Sequence, residues 1–520
     1  MMKKLFFAAL ALASVMPLAA QETYEIAEVA TQDLNGTARY VGMGGAMEAL
    51  GADISTISTN PAGIGLFRKS QFAGTLGLVS QSGQDSWASA NKTNVSFDQI
   101  GFVYSSRTSA TGFFNFGFNY HKSRNFNQIL RVADRLDGAS QSKLTYEKFR
   151  WGLIESADDA SYTQVDMLYH EGLYDTNLMR DDGSFNTDAY AFNGIDYIYN
   201  RGNTGYISEY DVNLSGNIKN RVYLGLTVGI HDVNYRGHSL YMENEHTNPY
   251  NLDNTTLEDS RNIDGTGIDV KAGIIFRPIE ESPFRLGLYI NSPIFYSLRS
   301  TNVTTLLLND KRYGSHNPHS SDFEYEMRTP WKFGVSAGHT VSDYLALGAT
   351  FEYSDYGATD PRIKGDHGYD WYYDEYWSNS SDDDAMSQHV KETLKGVATV
   401  KVGAEFKPDP AVAVRLGYNY VSPMYKEDGI RGFYQDGAPV WSDGTYFSST
   451  TDYINWKATH RLTVGLGFTL DKSWKLDLAY QYSAQKGQFL PFTGSDSNLP
   501  YDTNVDNKRN QWMMTASYSF

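Results

Sequence analysis

Cysteine is absent from the 520 residues, which removes disulfides and thiolate metal sites. Proline is scarce at 15 residues. After the opening segment no apolar run approaches the length, about eighteen residues, of a membrane-crossing helix. Positive charge is in deficit. Lys and Arg number 44 against 61 Asp and Glu, a formal charge of −17, and such a chain repels phosphate, which argues against nucleic acid as a partner. Catalytic signatures are scarce: there is no HExxH, and His316 and His319 are the one close pair among 11 scattered histidines. The chain reads as a non-enzyme, with no cofactor and no metal site assigned.

Aromatics and glycine are plentiful, with 38 Tyr, 27 Phe, 9 Trp and 46 Gly, and mean hydropathy is −0.46. That mixture suits strands with two unlike faces. The first twenty residues stand apart. Lys3 and Lys4 precede the apolar "LFFAALALASVM" (Leu5–Met16), and "PLAA" supplies small residues before Gln21. Residues 1–20 therefore read as a secretory signal peptide, too short in its apolar core to span a bilayer.

From residue 67 onward strict alternation recurs. In "AVAVRLGYNY" (Ala411–Tyr420), Val412, Val414, Leu416, Tyr418 and Tyr420 share one face, and Ala413, Arg415, Gly417 and Asn419 the other. Fourteen such segments are predicted near 67–80, 94–106, 112–121, 204–217, 221–236, 264–278, 283–297, 325–340, 344–357, 391–407, 411–424, 453–470, 473–486 and 508–520. Connections after even-numbered segments are short, such as Ile218–Asn220 and Asp471–Lys472; those after odd-numbered segments are long. Sorting by parity is the habit of an outer-membrane barrel, with short periplasmic turns and long external loops. The expected fold is a 14-stranded antiparallel transmembrane β-barrel, residues 67–520, in the outer membrane of a Gram-negative bacterium. Arg415, Lys475 and Asp477 are expected to face the lumen, because a cation on the lipid face costs roughly 2–4 kcal/mol. Phe520 ends the last segment on the apolar face, the kind of terminus that barrel-assembly machinery reads.

Eight strands fill their own bore and sixteen leave a channel; fourteen require a stopper. Residues 21–66 are expected to be that luminal plug. "YVGMGGAMEALGAD" (Tyr40–Asp53) offers close-packing glycines and a short apolar helix through Ala46, Met47 and Leu50. A loose periplasmic tail is the rival reading.

"ARYVGMGGAMEALGADISTISTNPAGIGLF" (Ala38–Phe67) resembles the N-terminal signature of the FadL/TodX family of outer-membrane transporters for hydrophobic compounds. The "GMGGA" block (Gly42–Ala46) and Asn60-Pro61-Ala62-Gly63 carry the likeness. Thr329–Tyr356 and Val400–Tyr420 are similar to later hairpins of the family. The resemblance implies a hatch in the barrel, ligand capture between external loops, and lateral release into the membrane. It also implies hatch or gating roles for Gly42, Gly44, Gly45, Asn60, Pro61, Ala62 and Gly63. Read without it, Asn60, Pro61 and Ala62 are equally a turn that starts the first strand.

Three further features each have more than one reading. Gly117, in "GFFNFGFNYH" (Gly112–His121), marks either a bulge that opens the wall or a packing accommodation to the plug. The long loop 122–203 sets Phe149 and Leu153 at helical spacing, with Trp151 nearby and Leu168 and Leu173 beyond. These residues read as a docking groove for a hydrophobic ligand or as self-packing of the loop. The stretch Asp366–Met386, with Asp382, Asp383 and Asp384, reads as a solvated acidic loop, or as a Ca²⁺ site or a surface sharing divalent ions with lipopolysaccharide. The functional expectation is passive uptake of long-chain fatty acids or other hydrophobic small molecules. The alternative is an adhesin that binds through its long loops. Expected partners are the ligand, lipopolysaccharide and membrane lipid.

Overall fold

The structure, a computed structural model, describes residues 23–144, 147, 192–247, 252–309, 311–313, 319–365, 367–370, 375–378, 380–427, 429, 434–435, 438–439, 453–494 and 498–520. The expected signal segment, residues 1–20, and the groove candidates Phe149, Trp151, Leu153, Leu168 and Leu173 lie outside the described residues.

Fourteen antiparallel strands close into one barrel. They are β1 (Gln71–Gln81), β2 (Thr93–Arg107), β3 (Phe113–Asn125), β4 (Gly194–Ile218), β5 (Val222–Glu245), β6 (Asn254–Phe276) and β7 (Arg285–Asn291), then β8 (Lys332–Val341), β9 (Leu345–Asp355), β10 (Gly396–Asp409), β11 (Val412–Val421), β12 (Tyr453–Thr469), β13 (Trp474–Leu490) and β14 (Thr503–Ser519). The ring is sealed where β14 pairs with β1, from Gln71 opposite Ser519 to Gln81 opposite Arg509. Closure pairs the first strand with the last, as hydrocarbon requires of a sheet that would otherwise end in two open edges.

Alternation sorts the two faces as the sequence demands. Val414, Leu416 and Tyr418 are exposed on the outside of β11, while Arg415 and Asn419 between them are buried inside. Exposed Phe72, Leu226, Leu288, Phe351, Val464 and Trp512 continue the apolar belt round the ring. A closed antiparallel wall with this belt is the architecture of outer-membrane proteins. Among the described residues no helix is long and apolar enough to cross a membrane.

The short turns lie at one end. Lys219 and Asn220 join β4 to β5 with φ of 52° and 53°, the left-handed pair that suits a two-residue hairpin. At the other end the strands overrun the bilayer. β4 and β5 have 25 and 24 residues, against the 9–11 or so that a crossing needs. The outer parts of the expected 122–203 loop are thus strand: a rim segment Gln128–Arg135 pairs with the upper half of β4.

The described wall has a seam between β7 and β8. Above Asn291 opposite Lys332, the regular ladder stops and resumes at Phe295 opposite Arg328, in rim segments Phe295–Leu308 and His319–Arg328, with Thr329 N donating to the Ile294 carbonyl at 3.1 Å between them. Pro293 and Pro330 lie side by side in the gap and bring no N–H to the ladder. The neighbouring β9 is broken at the same height by the turn Tyr356–Ala358. Of the two readings of Gly117, the bulge is absent. Pairing with β2 and β4 runs unbroken through Gly117, and the irregularity in β3 falls at Ser123. A Cβ at Gly117 would meet Ile57 at 3.2 Å and Ile64 at 3.6 Å, so the glycine accommodates the plug.

Leu416→Arg, on the outer face, is expected to destabilise the barrel by about 2–4 kcal/mol, measured by urea unfolding from lipid vesicles. Asn419→Arg, on the inner face, would not carry that lipid-exposure penalty. Equal stability of Leu416→Arg and wild type would contradict the assignment of faces.

Candidate functional site

The segment 23–66 fills the bore and touches wall strands all round it. It runs through α1 (Thr23–Ala30), α2 (Ala38–Gly42) and two 3₁₀ turns, Ile54–Ser58 and Pro61–Leu66. Each turn has a side-chain cap. Thr37 Oγ1 accepts from Tyr40 N at 3.0 Å, Asp53 Oδ1 from Ser55 N at 3.0 Å, and Asn60 Oδ1 from Ala62 N at 3.2 Å. Thr37 Oγ1 also donates to the Asp53 carboxylate at 2.9 Å, tying the two halves of the plug.

The helix expected through Ala46, Met47 and Leu50 is replaced by turns, and the helix lies earlier, at Ala38–Gly42. Gly44 and Gly45 take φ of +63° and +79°, which breaks helical continuity before Ala46. The "GMGGA" block then lies against the wall. Gly338, Gly348, Gly403 and Gly417 stand opposite one another on four adjacent strands, β8 to β11. A Cβ on Gly348 would land on the Ala46 carbonyl oxygen, on Gly403 on that of Met43, and on Gly417 on Gly44 N. From the plug side, a Cβ on Gly44 would stand 2.8 Å from Tyr418 N. Backbone thus meets backbone across a groove that side chains would fill.

Asn60, Pro61 and Ala62 are seated in the same manner. Asn60 is fully buried, and its Nδ2 donates to the Glu48 carbonyl at 3.1 Å. A Cβ on Gly273 would collide with Asn60 Oδ1, and one on Gly225 with the Pro61 carbonyl. Gly63 lies tight against Thr56. The four residues form a capped turn pressed on the wall.

Buried ion pairs pin the plug at separate points. Glu48 accepts from Lys401 Nζ at 2.9 Å, Tyr40 at 3.0 Å and Thr350 at 2.7 Å, and Lys401 also pairs with Glu352 at 2.9 Å. Arg39 meets Glu405 at 3.0 Å, and Glu405 is held by Arg415 at 2.7 Å, itself paired with Asp477 at 2.7 Å. Glu25 pairs with Arg261 at 3.2 Å. Wall side chains also serve plug carbonyls: Asn115 to Ile64 at 2.7 Å, Thr227 to Ile57 at 3.0 Å and Arg285 to Leu50 at 2.8 Å. Sequence reading marked Arg415 and Asp477 as luminal but missed Glu48, Asp33 and Lys401. The period-two pattern carried the signal for Lys401, which shares the inner face of β10 with Glu405.

A cavity of about 210 Å³ opens between the plug and the wall on the long-loop side. Six cations line it, Arg124, Lys332, Lys401, Lys457, Arg461 and Arg509, against four carboxylates, Glu28, Asp33, Glu209 and Glu352. At its plug side Asp33 faces Arg124 at 3.4 Å, Arg461 at 3.6 Å and Arg509 at 3.8 Å. Arg124 has Glu28 as well, at 2.8 Å, so Arg461 and Arg509 share Asp33 as counter-ion. Phe126, Met424, Tyr425 and Trp456 supply an apolar side. The plug separates this cavity from another of about 210 Å³ near the short turns, lined by Arg39, Asp53, Lys407 and Lys475. The acidic triplet is structural in part: Asp383 caps α3 (Asp384–Thr393) and Asp382 pairs with Arg362.

No protein-family profile and no curated protein matches the sequence. Solved structures do. A FadL homologue of Pseudomonas aeruginosa superposes over 94% of this chain and 99% of its own, with a TM-score of 0.53 at 13% identity. This chain has the FadL fold. The Ralstonia pickettii toluene transporter TbuX covers 94% and 99% with a TM-score of 0.49 at 11% identity. The monoaromatic hydrocarbon channel CymD covers 94% and 98% with a TM-score of 0.49 at 9% identity. The FadL fold places the barrel and its N-terminal hatch as described above; at 13% identity it carries no substrate with it.

Glu48→Ala strips Lys401, Tyr40 and Thr350 of a shared acceptor. It is expected to weaken plug seating by about 3–5 kcal/mol, read as faster hydrogen exchange across residues 40–50 while exchange in the wall strands is unchanged. Unaltered protection there would show that the glycine seat alone holds the plug.

Proposed function

We propose that this protein is a passive outer-membrane uptake channel for hydrophobic molecules that carry an acidic head, long-chain fatty acids foremost. The observation that carries this reading is the cavity above the plug. It combines an apolar side, from Phe126, Met424, Tyr425 and Trp456, with the guanidiniums of Arg461 and Arg509, which have one carboxylate between them. A chain of net charge −17 concentrates positive charge here, where a carboxylate would find a charge-assisted partner. A neutral aromatic hydrocarbon has no use for these cations and would leave them desolvated.

The plug bars a straight path, since its removal would break several buried ion pairs at once. The exit we propose is lateral, at the seam in β7, β8 and β9. Lys332, Tyr353, Ser354 and Tyr356 line the cavity, and they lie where Pro293, Pro330 and the turn Tyr356–Ala358 interrupt the ladder. Few backbone bonds need to part there, so an alkyl chain leaves into the membrane at lower cost than through the paired wall.

Arg461→Ala with Arg509→Ala is expected to lower uptake of a long-chain fatty acid about tenfold, and to leave uptake of a neutral alkane or of toluene unaltered, in whole cells expressing equal amounts of barrel. Equal losses for acid and hydrocarbon would refute the head-group role. Pro330→Ala, which restores a donor at the seam, is expected to slow release without changing ligand binding.

A further inference from the structure

Beside the cavity, two imidazoles and three carboxylates meet in the wall, and the uptake reading uses none of them. His121 on β3, Glu209 on β4 and His231 on β5 form one transverse row, His121 opposite Glu209 and Glu209 opposite His231. In the next luminal row, Asp211 on β4 and Asp269 on β6 flank Gly229 on β5. Gly229 leaves a gap, in which a Cβ would stand 2.6 Å from Lys271 Nζ. The ammonium reaches Glu209 Oε1 at 2.8 Å, Asp211 Oδ1 at 3.1 Å and Asp269 Oδ1 at 2.8 Å.

Charge does not balance. Three carboxylates against one ammonium leave −2 with neutral imidazoles, and all of these side chains are buried, Asp211 and His231 completely. Uncompensated charge at that depth is costly. Hydrogen bonding does not balance either. Lys271 takes one oxygen of each of Glu209 and Asp211. The other oxygens, Glu209 Oε2 and Asp211 Oδ2, flank the His121 ring at 3.6 Å and 3.7 Å, too far for a hydrogen bond. Asp211 Oδ2 and both ring nitrogens of His231 make none, although Glu209 and Asp269 oxygens lie 3.7 Å and 3.3 Å from that ring.

Ligand atoms of His121, Glu209 and Asp211 all lie within 4.8 Å of one another. Donors round a four-coordinate zinc, at bonds of 2.0–2.2 Å, stand roughly 3.4 Å apart. Asn119 Nδ2 donates to His121 Nδ1 at 3.2 Å, which marks the Nδ1 lone pair as the ring's ligand atom, with the amide giving way to the ion. We propose that His121, Glu209 and Asp211 bind a divalent transition-metal ion in the luminal wall. Its charge cancels the −2, Lys271 holds the two carboxylates in place from their far oxygens, and the cavity, which His121 and Glu209 line, gives the ion its way in. One imidazole with two carboxylates suits Zn²⁺, Co²⁺ or Fe²⁺ rather than Ca²⁺.

The test uses the full barrel in detergent, stripped with EDTA, dialysed against Zn²⁺ or Co²⁺ and freed of loose ion by gel filtration. Wild type is expected to retain about one ion per chain by elemental mass spectrometry, to show the visible absorption of bound Co²⁺, and to melt at a higher temperature with Zn²⁺ than with EDTA. Glu209→Gln and His121→Ala are each expected to weaken retention at least about tenfold, while His339→Ala, near the short turns, leaves it intact. Heat-modifiable electrophoretic mobility confirms that each variant is a closed barrel. If a variant does not close, the wild-type melting shift and Co²⁺ spectrum decide. Wild type that retains no ion would overturn the site and leave protons on the imidazoles to balance the charge. Retention undiminished in both variants would overturn it as well.

Discussion

Backbone hydrogen bonding in a solvent that offers none is the constraint on which this molecule rests. Every N–H and C=O that faces hydrocarbon must be paired within the protein. The chain meets that demand by pairing its last strand with its first, Gln71 with Ser519 onward. Closure fixes a ring, and fourteen strands set its bore. The bore is too wide for wall side chains to fill, so the leading segment has to occupy it. Fold, plug and enclosed chemistry follow from that one requirement.

Two unlike forces seat the plug. Glycines on β8 to β11 thin the wall so that plug backbone lies against wall backbone, and this contact needs no side chain from either partner. Ion pairs then fix direction and height. Lys401, itself paired with Glu352, takes Glu48, Glu405 takes Arg39, and Arg261 takes Glu25. Taken singly, a buried ion pair adds little net stability, because desolvation offsets its attraction. Breaking one is another matter, since it leaves a charge stranded. The arrangement therefore favours a stationary plug over one that is expelled, in keeping with the lateral exit proposed above.

Charge is distributed unevenly across that wall. On one side of the cavity Arg461 and Arg509 share Asp33; nearby, Glu209, Asp211 and Asp269 share Lys271. The first imbalance calls for an anion and the second for a cation. They are separate neighbourhoods, the one built mainly from plug and β12 to β14, the other from β3 to β6. An amphiphile and a metal ion are accordingly independent readings, and neither depends on the other being right.

Alternation alone was enough to count the strands, to assign Arg415 and Asp477 to the inside and Leu416 to the outside, and to place long and short loops at opposite ends. These are local properties, because the side-chain period of a strand is two whatever it pairs with. The need for a plug also followed from strand number. What pairs with what lay beyond reach. The row of four glycines is scattered over eighty residues of chain, and nothing in "GVSAGHT" or "KVGAEFK" says that Gly338 and Gly403 will lie almost abreast. The seam at Pro293 and Pro330 needed register to be seen, and the sequence pointed instead to Gly117, where a glycine in a strand signals either a bulge or a close neighbour. His121, Glu209 and His231 are 88 and 22 residues apart in pairing. Only the closing of the sheet brings them into one row, because transverse neighbours in a barrel are set by register between strands and not by distance along them.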